Sequence, residues 1–339
     1  MARRPAAWAM AAGLVLATGM AWAGDIHLAS GAGDYEIVRR ILEVDPGQLN
    51  SRDAYTWTPL HWATMRGQVD VAQLLVGRKA DVNAREYISG RMPLHWAAGL
   101  ESADIAELLV RSKAKVNEKD FGGRTPLHEA TAAGRTAIAR LLVGAGADVN
   151  ARTNDGYTPL NLAAAKGDKD LASFLLLKGA HISVKDKSGR TPLEWAAFSG
   201  KDEVAKLLLA NGAELTINVA ARLGMLEEVR TMLARDPRLI GNKDWTGARP
   251  LSAAADAGQL QVVSYLLAMG AEVNHGDLIG WRALSWAAAE GRSDVVRVLL
   301  DNGANVNVRT IQGWTALHLA IANQHPEVAD LLRANGGKE

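Results

Sequence analysis

A six-residue phrase recurs along this chain and fixes the kind of fold open to it. Thr58-Pro59-Leu60-His61-Trp62-Ala63 returns as Met92-Pro93-Leu94-His95-Trp96-Ala97, Thr125-Pro126-Leu127-His128-Glu129-Ala130, Thr158-Pro159-Leu160-Asn161-Leu162-Ala163 and Thr191-Pro192-Leu193-Glu194-Trp195-Ala196. It weakens to Arg249-Pro250-Leu251-Ser252, Arg282-Ala283-Leu284-Ser285 and Thr315-Ala316-Leu317-His318. The starts lie 34, 33, 33 and 33 residues apart, then 33 and 33 after a gap. A constant period of this size means that no unit buries its apolar face alone and that neighbours stack in one dimension. The 339 residues, too many for one ordinary core, then need no common centre.

Each unit reads as two short helices. Pro59 suits a first helical turn, where its missing N–H costs nothing, and Thr58 before it can cap. Gly67 permits a left-handed turn between the helices. Val71, Leu74 and Leu75 form the buried stripe of the second helix, repeated as Ile105, Leu108, Leu109 and as Ile138, Leu141, Leu142. Glycines two residues before the phrase, Gly90 to Gly313, suit the tight turn of a projecting hairpin. Thr56 breaks that rule, and Glu101 stands where the third unit should have its inter-helix glycine.

These residues resemble the ankyrin repeat. The resemblance implies an all-α solenoid of about ten helix-turn-helix units with projecting β-hairpin loops, starting near residues 24, 58, 92, 125, 158, 191, 215, 249, 282 and 315. The interval from 191 to 215 is 24 residues, nine short, and its hairpin is gone. The unit at 215 resembles the one at 24: Asp45-Pro46-Gly47 and Asp236-Pro237-Arg238 occupy equivalent places. Two arrays are therefore expected, 24–214 and 215–339, with a bend near 211–218.

Residues 1–23 read as a secretory signal peptide: Arg3-Arg4, an apolar run to Met20, then the small-x-small pattern Ala21-Trp22-Ala23. An uncleaved anchor is the alternative, although the run is shorter than the roughly 20 apolar residues of a span. Cleavage removes two arginines and takes the formal charge from +1 to −1. The expected location is periplasmic or secreted, without stable membrane insertion after cleavage. The absence of cysteine excludes disulfides, thiolate catalysis and cysteine metal sites. Near-neutral charge gives no reason to expect nucleic acid.

No Gly-x-Ser-x-Gly elbow, phosphate loop or His-Glu-x-x-His helix occurs, so no catalytic residue, cofactor or metal site is assigned. His61, His95, His128 and His318 share one motif position. Equivalent atoms on packed helices lie about 8–10 Å apart, whereas zinc needs nitrogens at about 2.0–2.1 Å. They are read as hydrogen-bonding groups at the helix starts.

The resemblance implies a non-enzymatic scaffold, expected as a monomer, that binds a protein on its hairpin tips and concave helix face. Trp57, Tyr157, Trp281 and Trp314 precede the phrase, and Trp245 lies at another hairpin. They face either a partner or each other, and a glycan stacked on these rings is the alternative ligand. Residues before the inter-helix glycine join that surface: Met65, Arg66, Lys166, Phe198, Asp256 and Glu290. With Arg91, Arg124 and Arg190 they make the first array's inner face basic and aromatic. The second array sets Asp256 and Glu290 among Trp281 and Trp314.

Overall fold

The computed structural model describes residues 25–101 and 103–339. The expected signal segment lies outside the described residues. The chain falls into two compact units, one ending at Asn154 and one running from Asp155 to Glu339. These units do not coincide with the two arrays, because the junction at 214/215 lies inside the second unit. Among the described residues there are α-helices and two 3-10 turns and no strand.

The first unit holds α1 (Ile26–Ala32), α2 (Tyr35–Val44), a 3-10 turn (Pro46–Asn50), α3 (Pro59–Met65), α4 (Val69–Gly77), α5 (Pro93–Gly99), α6 (Ala103–Arg111), α7 (Pro126–Ala133) and α8 (Thr136–Gly144). In the second are α9 (Pro159–Lys166), α10 (Lys169–Leu177), α11 (Pro192–Phe198), α12 (Asp202–Ala210), α13 (Ile217–Arg222), α14 (Leu226–Arg235) and a 3-10 turn (Pro237–Gly241). It continues through α15 (Pro250–Ala257), α16 (Leu260–Ala268), α17 (Ala283–Ala289), α18 (Ser293–Asp301), α19 (Ala316–Ala322) and α20 (Pro326–Ala334).

The phrase makes the first helix of each repeat. Its proline sits in the first turn and its leucine is buried, as at Leu60, Leu94, Leu127, Leu160 and Leu193. A fully buried leucine contributes about 1.5–3 kcal/mol. Helices of seven or eight residues are too short to hold alone, so these buried leucines, stacked repeat on repeat, supply most of the helical stability. The fourth residue of the phrase ties the helix start. Thr191 N–H donates to Glu194 Oε2 at 2.7 Å, and Glu194 N–H returns to Thr191 Oγ1 at 3.2 Å. Thr158 and Asn161 exchange the same bonds. Histidine fills the place with Nδ1, accepting from Thr58 N–H and Met92 N–H at 3.2 Å. His, Asn and Glu alternate there because each offers an acceptor at that reach.

The hairpins are turns without a β-ladder, which corrects the expected β-hairpin loops. An Asp N–H donates to the carbonyl four residues on, Asp53 to Trp57 at 3.0 Å and Asp277 to Trp281 at 2.8 Å. The Asp Oδ1 then caps the turn, accepting from Tyr55 N–H and Trp57 N–H at 2.9 Å. These bonds close each loop locally, and single backbone bonds between some neighbouring loops, such as Phe121 N–H to Ser89 O, do not extend into a ladder. Before Glu101 the helix has its usual seven residues and is followed by Leu100, extended at ψ 175°.

Candidate functional site

Two surfaces stand out, one on each compact unit. In the first unit the tips of successive turns carry large apolar side chains in the open: Tyr55, Tyr87, Ile88 and Phe121, from 58% exposed at Tyr55 to 78% at Tyr87. From the Tyr87 tip onward the row is held by backbone. Phe121 N–H donates to Ser89 O at 2.7 Å, and Asn154 N–H to Gly122 O at 2.9 Å. Leu278 and Ile311 repeat the arrangement in the second unit, bonded to Thr246 O and Ile279 O. Exposed apolar groups in a fixed row mark interaction surfaces in soluble proteins. The sequence reading missed them. The available signal was a large apolar residue directly inside an Asp-x-x-Gly turn, as in Asp120-Phe121-Gly122-Gly123, where no core can reach it.

The aromatic residues preceding the phrase lie lower, at the base of the turns, and most are packed. Trp57 is 9% exposed, its ring 5.5 Å from Trp62 and 5.0 Å from Trp96. Tyr157 packs edge-on against Trp195 at 5.5 Å, and Trp281 lies 4.5 Å from Trp286. Trp245 meets Phe198 edge-on at 5.5 Å. Only Trp314 of this set, at 47%, counts as exposed. Local packing is thus the observed role of Trp57, Tyr157, Trp245 and Trp281, and a stacked sugar has lost most of its platforms. The motif tryptophans are tied from the same turns: Trp62, Trp195 and Trp286 donate Nε1–H to Oδ2 of Asp53, Asp186 and Asp277, at 2.8, 3.0 and 3.1 Å.

The basic inner face is corrected at three of its four arginines. Arg91 pairs with Glu129 at 2.8 Å and Asp120 at 3.3 Å and lies over the Trp96 ring. Arg124 pairs with the same Glu129, at 2.5 Å. Arg190 is bound to Asp186 at 2.9 Å, with its guanidinium 3.8 Å from the Trp195 ring centre and 4.5 Å from Trp245. Guanidinium stacks well on indole and pairs bidentately with carboxylate, so these cations are spent inside the fold. Arg66 and Lys166 are exposed, and Met65 is half-buried.

Where the hairpin is missing, the second unit forms a polar seam. Arg222 ends α13, pairs closely with Asp256, and sits 4.7 Å over the Phe198 ring. Beside it Ala253 stands where Trp62 stands in the first unit's corresponding repeat, leaving Asp244 next to a cavity of about 20 Å³. That is room for one water. A wider groove of about 420 Å³ opens alongside, lined in part by Phe198, Arg222, Trp286 and Glu290.

His61 and His95 are buried, and each donates Nε2–H to a carbonyl of the next repeat, Arg91 O at 3.3 Å and Arg124 O at 3.1 Å. Burial lowers both pKa values to about 4, outweighing the carbonyl bonds that favour the proton. Among the described residues no group of three His, Asp or Glu is placed to hold a metal ion. No helix among them is long and apolar enough to cross a membrane.

Similarity to known proteins follows the repeat. A 53-residue stretch is 43% identical to serine/threonine-protein kinase VIK of Arabidopsis thaliana, covering 16% of this chain and 12% of the kinase. A 63-residue stretch is 32% identical to the NAD-dependent deacetylase sir2B of Dictyostelium discoideum, 19% of this chain and 8% of that one. A third, of 66 residues, is 35% identical to ankyrin repeat and SAM domain-containing protein 6 of Rattus norvegicus, 20% of this chain and 8% of that one. The chain therefore spans about a tenth of each relative, two repeats' worth of sequence. Ankyrin-repeat family matches cover residues 26–86, 85–153 and 145–219, then 246–278 and 284–333. Since those matches run over most of the length, and each phrase opens the first helix of a helix pair, the chain belongs to the ankyrin-repeat family.

Proposed function

We propose that the chain is a non-enzymatic scaffold, working in the periplasm or outside the cell, that grips a protein partner with the turn tips of its first unit. Ankyrin repeats indicate protein–protein interaction as the general role. One observation carries the more specific reading: four large apolar side chains, Tyr55, Tyr87, Ile88 and Phe121, stand exposed on successive tips, and the backbone of the Phe121 tip is bonded to that of the tip carrying Tyr87 and Ile88. Holding such groups rigidly in water has no folding benefit, whereas rigid aromatic anchors lower the ordering cost of association.

The test is affinity capture from the native compartment, comparing the parent with Tyr87→Ser/Phe121→Ser. Anchors of this kind cost about 2 kcal/mol or more each on truncation when they are hot spots, so the captured protein is expected to disappear. Unchanged capture by the double variant overturns the assignment of the tips.

A further inference from the structure

The seam of the second unit holds guanidinium groups from within. Arg190 lies between Trp195 and Trp245 and pairs with Asp186; Arg222 lies over Phe198 and pairs with Asp256. In each case an aromatic face and a carboxylate hold a cation together. The adjoining groove presents further groups of the same kind, with two of the chain's own arginines, Arg222 and Arg292, in its lining. Phe198 is 39% exposed on one wall. Trp286 and Glu290, one helical turn apart, line another, and Asp202 lines it from the start of α12. Glu290 and Asp202 make no ion pair among the described residues, while Arg222 is neutralised by Asp256. The remaining lining cation, Arg292, has its Nε committed to Asp256 O at 3.3 Å. Two open carboxylates against one arginine leave the groove net acidic.

We propose that this groove seats an arginine or lysine side chain of a protein partner, with the cation against Phe198 and Trp286 and its charge met by Glu290 and Asp202. The proposal rests on the scaffold reading but places a second contact on the other unit, with residues distinct from the apolar tips.

The probes are two capped peptides, Gly-Arg-Gly-Arg-Gly and its glutamate counterpart, titrated into the full chain at low salt while tryptophan fluorescence and the Trp286 indole N–H resonance are followed. Saturable binding of the arginine peptide is expected, roughly fivefold to tenfold weaker in Glu290→Gln/Asp202→Asn. The glutamate peptide is expected to leave both signals unchanged. Tyr87→Ser/Phe121→Ser should bind the arginine peptide as the parent does, so failure of the tips and failure of the groove are read separately. Absence of saturable binding, equal or better binding of the glutamate peptide, or an unaffected double carboxylate variant would each overturn the proposal. So would a dimer dissolved by Glu290→Gln, which would give the groove to a second copy of the chain.

Discussion

Two repeats of this molecule share one backbone plan across an offset of 191 residues and close their faces differently. Residues 25–57 open the first unit's described chain, and residues 216–248 follow the lost hairpin in the second. Both end their second helix in the same way. Asp45 and Asp236 share φ near −140°, each cap the backbone two residues on, and each lead into a Pro-started 3-10 turn. His27 Nε2 reaches Ser51 O at 3.0 Å, and Asn218 Nδ2 reaches the corresponding Asn242 O at 3.4 Å. Gln68 and Gln259 lock onto the equivalent carbonyls, Gly31 O and Arg222 O. One difference lies in three coupled positions where each copy meets the repeat after it: Gly31, Trp62 and Met65 at the first, Arg222, Ala253 and Asp256 at the second. Gly31 is small because the Trp62 ring lies on it; a Cβ there would sit 3.2 Å from that ring. Remove the indole and the same place admits an arginine, which then needs a carboxylate. A closed apolar face has become a polar seam without any change of backbone plan.

The repeats that follow the two copies also differ in how acid should act on them, and this is the largest effect expected. The first array's motif position holds His61 and His95, where the second has Ser252 and Ser285. Unfolded, each histidine takes up its proton near pH 6.5; folded, burial holds the proton off until about 4. Between those values the unfolded chain binds more protons, so stability falls as pH falls and the loss is complete below about 4. Each histidine accounts for up to about 3 kcal/mol. Hydrogen exchange at pH 7 and pH 4.5 should show protection lost around α3 and α5 but kept around α15 and α17. Equal loss in both places would break the contrast, while His61→Asn/His95→Asn should abolish it.

The seam gives the next effect in size. Arg222→Gly alone strands the Asp256 carboxylate, whose side chain is only 11% exposed, and should cost about 3 kcal/mol. Arg222→Gly/Ala253→Trp/Asp256→Met copies the first unit's solution and should recover most of that loss. The introduced indole can then donate to Asp244, as Trp62 donates to Asp53. A triple variant as unstable as the single one would mean that the two copies are not interchangeable and that the missing hairpin imposes its own constraint.

These relations were unevenly legible in the sequence. The period, the two helices of each unit and the start of the second copy follow from spacing alone, because the same buried leucines and capping acceptors must recur wherever the same pair is stacked. Trp57 was left open and proved internal, since spacing places it before the phrase but does not say that Trp62 and Trp96 close over it. Arg91 reads as part of a basic face because its partner Glu129 lies 38 residues away, while Arg124 and Arg190 pair with Glu129 and Asp186 only five and four residues off, carboxylates that charge counting along the face passed over. The tip residues Tyr87 and Phe121 were passed over because loops are expected to be polar, although an apolar residue inside a closed turn has nowhere to go but solvent. The groove depends on which faces of Phe198 and Trp286 stay uncovered, and periodicity carries no such information.

The smallest effect tests the match between turns. Thr56 and Gly247 are equivalent across the 191-residue offset, and both take a left-handed backbone, with φ of 62° and 80°. For a β-branched residue that conformation is unfavourable by about 1–2 kcal/mol, and the Thr56 hydroxyl is buried without a partner. Glycine loses more freedom on folding, which returns about 0.5–1 kcal/mol of the difference. Thr56→Gly should therefore stabilise the first unit by about 1 kcal/mol, seen as a raised denaturation midpoint with an unchanged slope. Gly247→Thr should do the reverse in the second unit, by more, because a Cβ there would lie 3.0 Å from the Leu278 side chain. If Thr56→Gly destabilises instead, the threonine is holding the tip beside Tyr55 in a shape that matters more than its strain.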